Sequence, residues 1–89
     1  MSDQKYTCPC CSYNALTEPP GSYDICPLCF WEDDKAQSDD PDFEGGANKV
    51  SLRQAQNNFH ELGAAEPRFL GRVRRPTKEE GRDPHWKPL

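Results

Sequence analysis

Four cysteines carry the clearest chemistry in this sequence. Cys8 and Cys11 form one C-x-x-C pair, within Thr7-Cys8-Pro9-Cys10-Cys11-Ser12, and Cys26 and Cys29 form a second, within Ile25-Cys26-Pro27-Leu28-Cys29-Phe30. Two such pairs can bring four thiolates to the corners of a tetrahedron, a geometry that Zn²⁺ accepts readily. A C-x-x-C turn holds two sulfurs on one side of a tight loop, whose backbone N–H groups can point at them and help keep them ionised. Proline follows the first cysteine of each pair, at Pro9 and Pro27, and fixes φ near the turn value. The pairs are separated by fourteen residues, one short of the usual spacing for paired zinc knuckles. A hairpin turning at Pro19-Pro20-Gly21-Ser22 can still close at that length. Its strands are expected at Tyr13–Leu16 and Ser22–Ile25. The metal ligands expected are therefore Cys8, Cys11, Cys26 and Cys29, around one Zn²⁺. Iron is the less favoured alternative.

Two other uses of cysteine fit less well. A disulfide framework is disfavoured because five cysteines is an odd number. Met1-Ser2-Asp3-Gln4-Lys5 also leads into no apolar signal segment. A redox dithiol of the thioredoxin type needs a βαβ context, which this sequence lacks. Cys10 is the fifth cysteine. The matched Cys8/Cys11 and Cys26/Cys29 loops leave it outside the cage, a small residue on a turn with a free thiol.

The rest of the sequence must position these sulfurs with little apolar material. Leu, Ile, Val and Phe number thirteen among 89 residues, about 15%. That is below the level at which a chain usually builds a sufficient core, so a staple is expected. A structural zinc can supply about 10–16 kcal/mol of apparent binding energy. Residues 51–62 read as a helix. Ser51 is the N-cap, Gln54 completes a capping box, and Gly63 is the stop. Leu52, Ala55, Phe59 and Leu62 form its apolar stripe, expected to pack on Phe30 and Trp31. Glu66-Pro67-Arg68-Phe69-Leu70 resembles a first helical turn, with Phe69 and Leu70 adding to the core. The fold class expected is a small α+β metal-stabilised domain: a zinc-ribbon- or rubredoxin-like knuckle hairpin followed by one or two helices. It spans residues 6–75, and residues 76–89 read as a flexible tail. Thr77 to Leu89 has no apolar period, and Trp86 is its only large anchor.

Several functions are disfavoured. The formal net charge is −4, and the one basic cluster is Arg72, Arg74 and Arg75, so a nucleic-acid backbone would repel most of the surface. Those arginines can instead neutralise thiolates or the acidic loop. Asp40, Asp42 and Glu44 followed by Gly45 resemble half of a calcium loop. However, Ser51 stands where a bidentate glutamate is needed, and the segment reads as a solvated connector. His60 reads as a surface histidine. No membrane-spanning stretch is present, and a cytoplasmic location is the default.

The run Cys8-Pro9-Cys10-Cys11, then Glu18-Pro19-Pro20-Gly21-Ser22-Tyr23-Asp24-Ile25-Cys26-Pro27-Leu28-Cys29-Phe30-Trp31-Glu32-Asp33-Asp34, resembles the bacterial cysteine-rich CPCC family. The similarity continues through Gly45-Gly46-Ala47-Asn48, Val50-Ser51-Leu52, Asn58-Phe59 and Arg68-Phe69, and covers about residues 7–76. It implies a small, cytoplasmic, zinc-ribbon-like protein, and it makes Cys10 part of the family's motif. Ser12 stands where many zinc knuckles place glycine. The function expected is a non-enzymatic zinc-binding module that meets a protein partner through the acidic connector with an exposed Trp31 side, or with whatever aromatic the hairpin leaves uncovered. An immunity-type inhibitor of a basic toxin is a special case of that reading. An iron-binding, rubredoxin-like electron carrier is the alternative.

Overall fold

The knuckles build the first half of the molecule. The structure, a computed structural model, describes residues 5–89. Strand β1 (Tyr6–Thr7) pairs antiparallel with β2 (Asn14–Leu16), across the first C-x-x-C turn. The second knuckle closes its own hairpin. Ile25 bridges Glu32, the Cys26 N–H donates to the Trp31 carbonyl at 3.0 Å, and the Asp33 N–H donates to the Asp24 carbonyl at 2.9 Å. The strand expected at Tyr13–Leu16 is therefore present, but it does not pair with Ser22–Ile25. Each C-x-x-C turn is itself a tight reversal, and the nearest backbone partners lie across it, at lower loop-closure cost than across the Pro19-Pro20 turn.

The connector is more ordered than its acidic composition implies. A short helix α1 (Lys35–Asp39) starts at Asp34, whose Oδ1 accepts from the Ala36 N–H at 2.9 Å. Gln37 is fully buried. Its Nε2 donates to the carbonyls of Phe43, Asn48 and Val50 at 3.0–3.1 Å, and its Oε1 accepts from Asn48 Nδ2 at 2.8 Å. Asn48 reaches on to Glu32, accepting its N–H at 2.9 Å and donating to its carbonyl at 2.8 Å. One glutamine thus ties the loop to the second hairpin, which is how a segment poor in apolar residues meets its backbone hydrogen-bonding needs. The loop passes close by at Gly46, where a Cβ would stand 2.6 Å from Asp34 Oδ2.

Helix α2 (Leu52–Leu62) has the expected ends. Ser51 Oγ accepts the Gln54 N–H at 3.1 Å, and Gly63 caps the far end at φ 89°. The capping box is only half formed, because the Gln54 side chain donates to Asn58 Oδ1 instead. Leu52 and Ala55 are buried, Phe59 is half-buried, and Leu62 emerges into solvent. Trp31 and Leu52 share the core with the four paired cysteines. Phe30 does not lie under the helix as expected. It stacks on Phe69 of a 3₁₀ turn (Pro67–Phe69), with centroids 5.1 Å apart, while Leu70 is left exposed.

Trp31 is completely enclosed, and among the described residues its Nε1 finds no partner. Burying so large a ring is worth about 4–6 kcal/mol. The lost hydrogen bond costs about 1–3 kcal/mol, so burial wins. The expectation that one side of Trp31 faces a partner is corrected accordingly.

Residues 76–89, expected as a flexible tail, lie back across the first knuckle in the structure. Glu80 is buried and forked onto Arg74, with both bonds at 2.7 Å. This holds its carboxyl down to about 2. Its depressed value contributes stability at neutral pH that is lost as pH falls from the ordinary glutamate range toward 2. Beyond it, Arg82 bridges Tyr13, the Asp83 N–H donates to the Ser12 carbonyl at 2.8 Å, and Trp86 Nε1 donates to the Pro9 carbonyl at 2.9 Å. These partners are backbone groups and single side chains, so the segment needs no apolar period to dock. Truncation after Pro76 should lower the melting temperature by about 5–10 °C, since a lost kcal/mol shifts a domain of this size by about 4–8 °C. Calorimetry of the full and truncated chains tests this, and an unchanged melting temperature would contradict it.

Candidate metal centre

The two knuckles are built alike. In the first, the Ser12 N–H donates to the Cys8 carbonyl at 2.9 Å and the Cys8 N–H donates to the Tyr13 carbonyl at 2.9 Å. In the second, Phe30 donates to Cys26 at 2.8 Å and Cys26 to Trp31 at 3.0 Å. The residue after each second cysteine adopts positive φ, 75° at Ser12 and 69° at Phe30. That is the place where glycine is the unstrained choice. For a residue as bulky as Phe30 it is a strained conformation of order 1–3 kcal/mol, held by the Phe69 stack and the knuckle's own bonds. The sequence signal at Ser12 was readable. Its counterpart at Phe30 emerges only when the knuckles are superposed in register.

The turns bring all four expected ligands together. Cys8, Cys11, Cys26 and Cys29 are at most 2% exposed, and their Sγ atoms lie within 4.8 Å of one another. The Cys8–Cys29 sulfurs are 3.5 Å apart and the Cys11–Cys26 sulfurs 3.7 Å. A tetrahedral ion with metal–sulfur bonds of ~2.3 Å would set sulfurs ~3.8 Å apart. The donor set and its spacing therefore fit a tetrahedral four-sulfur ion, and the site can hold one. The Leu28 N–H points at Cys26 Sγ at 3.4 Å, the kind of second-sphere donor that steadies a thiolate. Without a cation the four cannot share the pocket as equals. Burial pushes the Cys8 and Cys29 thiols well up, whereas Cys26 is pulled far down by hydrogen bonds from Cys11, Cys29 and Cys8. A bound divalent cation reverses that logic and deprotonates the thiols.

Cys10 stands apart from this group of four. It is nonetheless almost fully buried, and its thiol adds to the upward push on Cys29. It is thus a packed residue beside the cluster. Arg74 donates its backbone N–H to the Pro27 carbonyl at 3.2 Å, and its guanidinium is kept protonated chiefly by the hydrogen bond to Glu80, with Cys26 a minor contributor. His60 is exposed on α2. The calcium-like segment forms no cluster. Asp42 pairs with Arg53 at 2.7 Å, and among the described residues the four cysteines are the only group able to hold a metal.

Fold and site together define a small cysteine-rich domain organised on a potential four-sulfur metal cage. The family description Cysteine-rich CPCC matches residues 6–80, and the chain belongs to that family. A search among curated proteins finds no match.

Cys10→Ser should keep bound metal and a native spectrum, whereas Cys11→Ser should lose both. Metal-to-protein ratios by elemental analysis check this, and equal losses in the two variants would show that the ligand set has been misassigned.

Proposed function

We propose that this protein is a zinc-binding, non-enzymatic interaction module. One Zn²⁺, held by Cys8, Cys11, Cys26 and Cys29, fixes the fold and takes no part in chemistry. The observation that carries this reading is closure: all four sulfurs are buried and mutually within bonding range of one ion. A four-thiolate zinc has no open position, so it can neither activate water nor polarise a substrate. Five thiols, none in a disulfide, suit a reducing compartment such as the cytoplasm. Among the described residues no helix is long and apolar enough to cross a membrane.

The surface offered to a partner is the acidic loop. Asp39, Asp40, Asp42 and Glu44 are exposed, and Phe43 stands 41% exposed among them. Asp39 pairs with Lys35 and Asp42 with Arg53. Such exposed pairs are worth little and leave the loop's field negative. An exposed aromatic in an acidic loop suits a basic protein surface, which the field would steer and the ring would anchor.

Two measurements test the proposal. Purified protein should be colourless with one zinc per chain, and chelation should collapse its dispersed NMR spectrum, because metal binding energy is folding energy. A red, iron-loaded protein, or a dispersed spectrum in metal-free chain, would refute the structural zinc. Lysine at 39, 40 and 42 together should abolish low-salt capture of a basic partner from the host. Undiminished capture would remove the acidic loop from the interface.

A further inference from the structure

A cavity of about 580 Å³ opens between α2 and the returning segment, over the first knuckle. Its volume lies in the range of small-ligand sites. The chain has fifteen acidic residues, yet among the described residues no Asp or Glu side chain lines this cavity; Arg82 and His60 do, together with Cys10, Cys11 and Leu89. Phe59 and Trp86 supply aromatic walls, and Asn57 supplies a side-chain amide.

Arg82 is positioned rather than loose. Its Nε donates to Ser12 Oγ at 2.9 Å, and its guanidinium lies 5.7 Å from the centroid of the Tyr13 ring. Ser12 is buried and is itself fixed in the knuckle turn. Among the described residues Arg82 pairs with no carboxylate, in contrast to Arg53, Arg68 and Arg74. Its neighbour Asp83 is engaged elsewhere, accepting from the Thr7 hydroxyl at 2.7 Å and from the His85 N–H at 2.9 Å. Trp86 is held by its Nε1 bond to Pro9. Gln56 Nε2 donates to the same carbonyl at 2.8 Å, so helix and returning segment are both fastened to the knuckle beneath the cavity. An oriented guanidinium without a carboxylate partner is a ready receptor for a planar anion, which it can grip through parallel N–H donors of its two terminal nitrogens while Nε stays on Ser12.

We propose that this cavity binds a small amphipathic organic anion, with a carboxylate head on Arg82 and an aromatic or apolar body between Phe59 and Trp86. The site is independent of the acidic loop. Two of its key residues, Arg82 and Trp86, lie beyond residues 6–80 matched by the family, whereas Phe59 and His60 lie within them. The first knuckle forms part of the wall directly, through Cys10 and Cys11, and its turn holds Ser12 and Pro9, to which Arg82 and Trp86 are bonded.

The test uses the full-length, metal-loaded chain. 1-Naphthoate is titrated while the indole N–H resonance of Trp86 is followed, with 1-naphthylmethylamine as the cation of like shape and inorganic phosphate as the anion without a body. A saturable shift with naphthoate, and none with the other two at millimolar concentration, is the expected result. Arg82→Gln should weaken naphthoate about tenfold or more, the effect of losing a charge-assisted bond. His60→Glu changes only an exposed helix position and should weaken it in the same direction, so the proposal stays testable if the Arg82 variant unfolds. Equal binding of the amine, equal binding of phosphate, absence of saturation with naphthoate, or folded variants that bind like the original would each overturn it.

Discussion

Four sulfurs meeting in a buried space are the constraint on which the rest of this molecule depends. Two C-x-x-C turns bring them within 4.8 Å, and nothing in the apolar inventory is large enough to replace them as a centre. Trp31, Leu16, Leu28 and Leu52 are the large apolar side chains buried around the cluster. Each knuckle accepts a residue at positive φ to make its turn. That strain and the cost of desolvating four thiols are tolerable when a cation draws the sulfurs together, because the binding energy of such an ion exceeds both.

Around that centre the chain uses polar groups where larger proteins use apolar ones. Gln37 and Asn48 hold the connector through bonds to its carbonyls. The Arg74–Glu80 fork and the Thr7–Asp83 bond hold the returning segment. Such bonds contribute modestly each, but they are costly to leave unmade once buried. They therefore confer uniqueness more than bulk stability. The consequence for function is a rigid scaffold with two chemically distinct faces: an exposed acidic loop around Phe43, and a cavity whose lining carries Arg82.

Local chemistry was legible in the residues. The gathering of Cys8, Cys11, Cys26 and Cys29 follows from spacing, because a C-x-x-C turn is a short-range object whose geometry its own four residues nearly fix. The same holds for α2, whose Ser51 cap, Leu52–Ala55 stripe and Gly63 stop all act within a few residues.

Tertiary structure alone decided the rest, because those outcomes depend on competition among backbone partners or on groups distant in sequence. Strand pairing follows the closest available backbone, which turned out to lie within each knuckle and not between them. Trp31 is enclosed, and Phe30 faces Phe69, because the second hairpin packs against a turn nearly forty residues away. The segment after Pro76 has no pattern that announces docking; its anchors are isolated side chains, with Glu80 forked onto nearby Arg74 and Asp83 and Trp86 matched to groups at the first knuckle. Periodicity detects a continuous apolar face, and single polar contacts across 70 or so positions leave no period to detect.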